Sequence, residues 1–214
     1  MFKKKFLLSV SILVLVFAIS IPASATNIDT IDTEELLELV PATSDDRDHY
    51  DEVPHDWDLA LVDTRSEEEF EAGHINGAIN LPADGEFLPC PFPGDLDTKM
   101  IFYGDNPEQW AEMTKEDGYD NVYIYEAGIE GWQEEGDYLT TTPQYVDSLI
   151  DEDYISDKDN PPHMIIDTRG FGMYLESHVP TAQSMEHTIF EDKFLDYIPP
   201  QKDMEIITYC GGFF

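Results

Sequence analysis

Cysteine is nearly absent from this chain: Cys90 and Cys210 are the two in 214 residues. Two are too few for the disulfide scaffold of a small secreted domain. Basic residues are scarce as well, 11 against 46 acidic ones, for a formal net charge of −35. A field of that sign repels nucleic acid and anionic membranes, which excludes both as partners. The acids are spread along the whole chain, as on a solvated surface; a saline habitat or a cationic partner would also suit them. Long apolar runs are missing too, with one exception. Phe6 to Ile21 is almost unbroken, follows Lys3, Lys4 and Lys5, and precedes the small residues Ala23, Ser24 and Ala25. That is the plan of a cleaved signal peptide over residues 1–25 rather than of a membrane span. No cysteine precedes Cys90, so lipid attachment behind the signal is not expected. The expectation is a periplasmic or secreted bacterial protein with no stable membrane anchor after cleavage. Cleavage removes three lysines and leaves eight basic residues against the same 46 acids.

What is present is a repeat. "LVDTRSEEEFEAGHINGAINLP" (61–82) matches "IIDTRGFGMYLESHVPTAQSME" (165–186) at an offset of 104, pairing Asp63 with Asp167, Thr64 with Thr168, Arg65 with Arg169, His74 with His178 and Ala78 with Ala182. Further on, Tyr103 in "MIFYG" faces Tyr209 in "EIITYC" at an offset of 106. Upstream, "DTEELLEL" (32–39) resembles "TPQYVDSL" (142–149). Fixed-period self-similarity marks two copies of one unit, 26–140 and 141–214, with a hinge near 139–141.

Each copy alternates strands and helices. Leu59 to Val62 is a short continuous apolar run, as expected of a strand buried on both faces of a parallel sheet. Thr33 is expected to cap a short helix, and Thr142 to cap another with Pro143 at its first position. Ser66 and Glu69 have capping-box spacing for a helix over 67–72 that Gly73 can end. "GAINLP", "MIFY" and "NVYIYE" supply further strands, and Asn106-Pro107 starts a helix to about Glu116. The fold class is α/β, with two parallel sheets flanked by helices, the second incomplete.

"LALVDTRSEEEFEAGHINGAINLP", "GYDNVYIYEAGIEGW" (118–132) and the strand ending "ITYC" resemble the rhodanese-like sulfurtransferases. The resemblance covers 31–139 as a complete domain and 141–214 as the front part of a second. It implies that a catalytic cysteine ends a central strand and opens a loop, the position of Cys210 in the second copy and of Gly104 in the first. The first domain is therefore expected to be non-catalytic, and its Asp105 and Glu108 are unsuited to an anion. Cys210 would be the nucleophile, with Gly211, Gly212 and Phe213 as its loop. A thiolate is the attacking species, and backbone N–H groups of a glycine-rich turn stabilise it and the persulfide that follows. The partners implied are a small sulfur donor and acceptor or a sulfur-carrying protein, with no cofactor and no metal. Asp167 and Arg169 are expected to be structural supports, as are Asp63 and Arg65. The aspartates are expected to hold their loops through backbone N–H groups, with an Arg65–Glu69 ion pair at the helix start. His74 and His178 read as structural turn histidines, Tyr125 and Trp132 as core. His187 faces Ala83 in the other copy and is a candidate on the substrate side. Cys90 matches no catalytic position, although it could pair with Cys210 in an oxidising compartment.

Four residues follow Cys210, whereas 35 separate Gly104 from the end of the first unit at Leu139. The expectation is a reading frame cut inside a reactive-sulfur loop. Either an in-frame UGA encoding selenocysteine or a frameshift or fragment would do this. Other readings are a rhodanese-fold scaffold without turnover, a redox protein, and a cysteine phosphatase or arsenate reductase.

Overall fold

The computed structural model describes residues 28–40, 59–82, 92–135, 138–150, 163–202 and 204–211. The signal segment, Cys90, Gly212 and Phe213 lie outside them. Among the described residues no helix is long and apolar enough to cross a membrane.

The first unit runs β1 (Asp29–Thr30), α1 (Thr33–Leu39), β2 (Leu59–Asp63), α2 (Glu67–Ala72), β3 (Ala78–Asn80), β4 (Lys99–Tyr103), α3 (Pro107–Glu116), β5 (Val122–Ile124) and α4 (Gly128–Glu134). Its five strands pair in parallel in the order β1-β5-β4-β2-β3. Successive residues of a strand point to opposite faces. Leu61, Ile101 and Tyr103 accordingly pack with Leu36, Ile75, Tyr125 and Trp132 on one side. Ala60, Val62, Met100 and Phe102 pack with Trp110, Ala111 and Tyr119 on the other. Continuous apolar runs in β2 and β4 follow from this double cover.

The second unit begins with α5 (Pro143–Ile150), then β6 (His163–Asp167), α6 (Phe171–Glu176), β7 (Gln183–Ser184), the short helix α7 (Phe190–Lys193) and β8 (Glu205–Tyr209). Its parallel sheet has the order β7-β6-β8, the counterpart of β3-β2-β4. Met164, Ile166 and Met185 form a small core against Phe190, Phe194, Ile198 and Met204.

The caps agree with the sequence at Ser66, whose hydroxyl and Glu69 carboxylate close a capping box, and at Thr142, whose Oγ1 accepts from Tyr145 N at 3.3 Å. Three expectations are corrected. Asp32, not Thr33, caps α1, because from there Glu35 is the third helical residue and can reach back to the Asp32 N–H. Arg65 pairs with Asp63 instead of Glu69, whose carboxylate is committed to Ser66. Residues 139–141 are not a free hinge. Thr140 forms an antiparallel bridge with His74, and Thr141 Oγ1 donates to Glu71 O at 2.7 Å.

Candidate functional site

Strand β6 ends on Asp167, and its first turn out of the sheet carries Thr168 and Arg169. The buried Asp167 accepts from Arg169 N at 3.0 Å, from Nε at 2.9 Å and from Nη2 at 2.6 Å. Nη2 also donates to Ser177 O at 2.5 Å, which ties the end of α6 back to the strand. A planar guanidinium with several fixed donors suits this double duty. The first unit repeats the arrangement: Arg65 holds Asp63 and donates from Nη2 to Gly73 O at 2.7 Å. The expected Asp-to-backbone contact exists in both copies.

Two residues given no role by sequence reasoning join β8 to this turn. Tyr209 donates its hydroxyl to Asp167 Oδ2 at 2.7 Å and accepts from Val179 N at 3.0 Å. Thr168 donates from N and Oγ1 to Tyr209 O at 2.9 and 2.8 Å. Tyr103 and Thr64 make matching contacts with Ile75 N and Tyr103 O. The available signal was the repeat itself, because both tyrosines immediately precede the position where the copies diverge.

Electrostatics follow the geometry. The Arg169 hydrogen bonds hold the Asp167 carboxyl down at about 2, and Asp167 in turn raises the guanidinium. Burial, with Asp167 alongside, raises the Tyr209 phenol. Burial pushes Tyr103 well up and His74 down. Both turn histidines place Nδ1 on a carbonyl, His74 on Phe70 O at 2.8 Å and His178 on Tyr174 O at 2.9 Å. Each ring stacks on the side chain four residues earlier. A carbonyl only accepts, so Nδ1 carries the proton in both.

Cys210 follows directly from this braced strand end and is exposed, with Gly211 half-buried behind it. His187 lies one step away, with N and Nδ1 both on Thr168 O, at 3.0 and 3.1 Å. The first copy differs in more than a missing thiol. Gly104 has φ +107, and a Cβ there would come within 2.8 Å of Arg65 Cγ. Neither the backbone nor the space at that position admits a side chain. Among the described residues no group of three or more His, Cys, Asp or Glu could hold a metal ion.

A family model described as "Rhodanese-like domain" matches residues 46–135 and 146–213. The thiosulfate sulfurtransferase GlpE of Actinobacillus succinogenes is 34% identical over 91 residues, covering 37% of this chain and 79% of GlpE. A tRNA uridine(34) hydroxylase of Erwinia tasmaniensis is 33% identical over 82 residues, 35% of this chain and 23% of that enzyme. Among solved structures, an anaerobic ergothioneine biosynthesis enzyme from Chlorobium limicola is 23% identical with a TM-score of 0.42, covering 74% of this chain and 41% of that one.

Proposed function

Since the chain belongs to the rhodanese-like domain family, we propose that it is a sulfurtransferase carrying sulfane sulfur as a persulfide on Cys210. The observation that carries this reading is an exposed cysteine at the end of a strand braced by Tyr209, Asp167 and Arg169. The Cys210 thiolate attacks the outer sulfur of thiosulfate; a sulfur–sulfur bond forms, the one in thiosulfate breaks, and sulfite leaves with its electron pair. An acceptor thiolate then attacks the terminal sulfur, takes it as a new persulfide and returns Cys210 as thiolate. Glycines at 211 and 212 allow backbone N–H groups to close around the anion.

In this reading the first domain is a non-catalytic support, since Gly104 stands where the sulfur would be. The N-terminal 25 residues direct export, and the donor and acceptor meet the protein outside the cytoplasm. The test is thiosulfate-to-cyanide sulfur transfer by the full chain against Cys210→Ser. Loss of turnover in the variant supports the assignment, and equal turnover removes it.

A further inference from the structure

The two copies hold the turns behind β2 and β6 with different side chains. Up to those turns they match: Leu81 N donates to Asp63 O at 2.8 Å, and Met185 N to Asp167 O at 2.9 Å. In the first copy Asn80 straddles the turn, its Nδ2 donating to Asp63 O at 3.1 Å and to Arg65 O at 2.9 Å. In the second, the shorter Ser184 stands at the matching position. The brace there comes from His187, which opens the 3-10 turn His187–Ile189. Its N and Nδ1 both donate to Thr168 O, at 3.0 and 3.1 Å. A carbonyl has two lone pairs and only accepts, so it can take both bonds and Nδ1 carries the proton. The first copy has Ala83 at the corresponding place, so the imidazole brace belongs to the copy that has the cysteine.

What the brace holds is the backbone at Cys210. Thr168 donates from N and Oγ1 to Tyr209 O, at 2.9 and 2.8 Å. The Tyr209 carbonyl and the Cys210 N–H share one planar peptide unit, so two donors on the oxygen also fix where that N–H points. Thr168 lies just beyond the end of β6, and the peptides on either side set its conformation. Met185 N on Asp167 O holds the one before it. Asp167 Oδ1 on Arg169 N and His187 on Thr168 O hold the one after. Removing the imidazole loosens that second peptide and lets Thr168 move off Tyr209 O. The first copy uses its threonine differently: the Thr64 hydroxyl is shared between Tyr103 O and Asp105 O, at 3.0 and 2.8 Å. A loop carbonyl is thereby drawn toward the turn, where an anion would need donors.

We propose that His187 is a positioning residue for Cys210. Its Nδ1–H grips Thr168 O, Thr168 pins Tyr209 O, and the shared peptide plane sets the Cys210 N–H, the first of the loop amides that meet the sulfur anion. His187 acts through Thr168 and makes no bond to the sulfur or to its donor. Its role in turnover rests on Cys210 being the sulfur carrier; its role in holding the peptide does not.

The test uses the full chain with His187→Ala, His187→Asn and His187→Gln. Asparagine places Nδ2 as many bonds from Cα as Nδ1, whereas glutamine places Nε2 as far out as the other ring nitrogen. Two readouts are taken: the rate of sulfur uptake by Cys210 over a range of thiosulfate concentrations, and the backbone ¹⁵N shift of Cys210. The alanine variant is expected to lower the maximal rate about tenfold, as loss of one hydrogen bond in the chain would. Half-saturation should stay where it is, and the Cys210 shift should move. Asparagine should restore both rate and shift, and glutamine neither. An unchanged rate and shift in the alanine variant overturns the proposal. Rescue by glutamine and not by asparagine, or a change in half-saturation alone, overturns it in favour of direct contact between His187 and the donor. If the wild type takes up no sulfur, the sulfurtransferase reading fails, and the shift pattern of the three variants still decides whether His187 holds the peptide.

Discussion

The Tyr209 hydroxyl donates to Asp167 Oδ2 at 2.7 Å across the parallel pairing of β8 with β6. The bond links the residue before Cys210 to the carboxylate that Arg169 grips, so the position of the sulfur depends on an ion pair it does not touch. Tyr209→Phe should therefore lower sulfur transfer several-fold while leaving overall stability little changed, because Tyr209 is only half-buried. Tyr103→Phe removes the matching hydroxyl from a fully buried site. It leaves Ile75 N without its partner and should destabilise the protein by about 1–3 kcal/mol with no direct effect on transfer. Denaturant titration beside a transfer assay separates the two.

Thr181 has φ 68 where the first copy has Gly77 at φ 76. A β-branched residue in the left-handed region is strained by roughly 1–2 kcal/mol. Thr181→Gly should raise stability by about 1 kcal/mol after the extra backbone entropy of glycine is counted, measured as an increase in the denaturation midpoint at unchanged slope.

Gly104→Cys puts a thiol at the position of the first domain that matches Cys210, yet it should not create a second active site. The positive φ and the 2.8 Å approach of Arg65 Cγ require the turn to shift. The expected result is a loss of about 2 kcal/mol or more and no transfer activity in a Cys210→Ser background. Transfer by that double variant would mean the two loops are interchangeable.

Asp167 is held at about 2 from an ordinary 3.8 by the Arg169 hydrogen bonds. A depressed carboxyl stabilises the fold fully above its unfolded value and loses that contribution as pH falls through its folded value. The melting-temperature advantage of the wild type over Asp167→Asn should thus be constant above about pH 4 and shrink toward pH 2. An advantage that persists unchanged at pH 2 would show that the carboxylate charge is not its source.

Much of this was legible in the residues. The strands declared themselves because burial on both faces turns β2 and β4 into apolar runs, and Ser66 with Glu69 fixed the start of α2. The repeat located Cys210 opposite Gly104. The Tyr209–Asp167 bond was hidden because it joins strands 42 residues apart, and nothing in either local pattern encodes the pairing register. Arg65 misled for a related reason. Its spacing from Glu69 suits a helix, but Arg65 lies outside the helix and Glu69 is spent on the cap. The docking of residues 139–141 could not be read, since neighbouring threonines look like a linker until His74 pairs with Thr140.

The most direct test of the account is peptide mapping by mass spectrometry after the reduced full chain is treated with thiosulfate. The account predicts a gain of one sulfur atom on the peptide containing Cys210, removed by cyanide or a thiol acceptor and absent from Cys210→Ser. An unmodified Cys210, or the same gain retained in Cys210→Ser on Cys90, would contradict it.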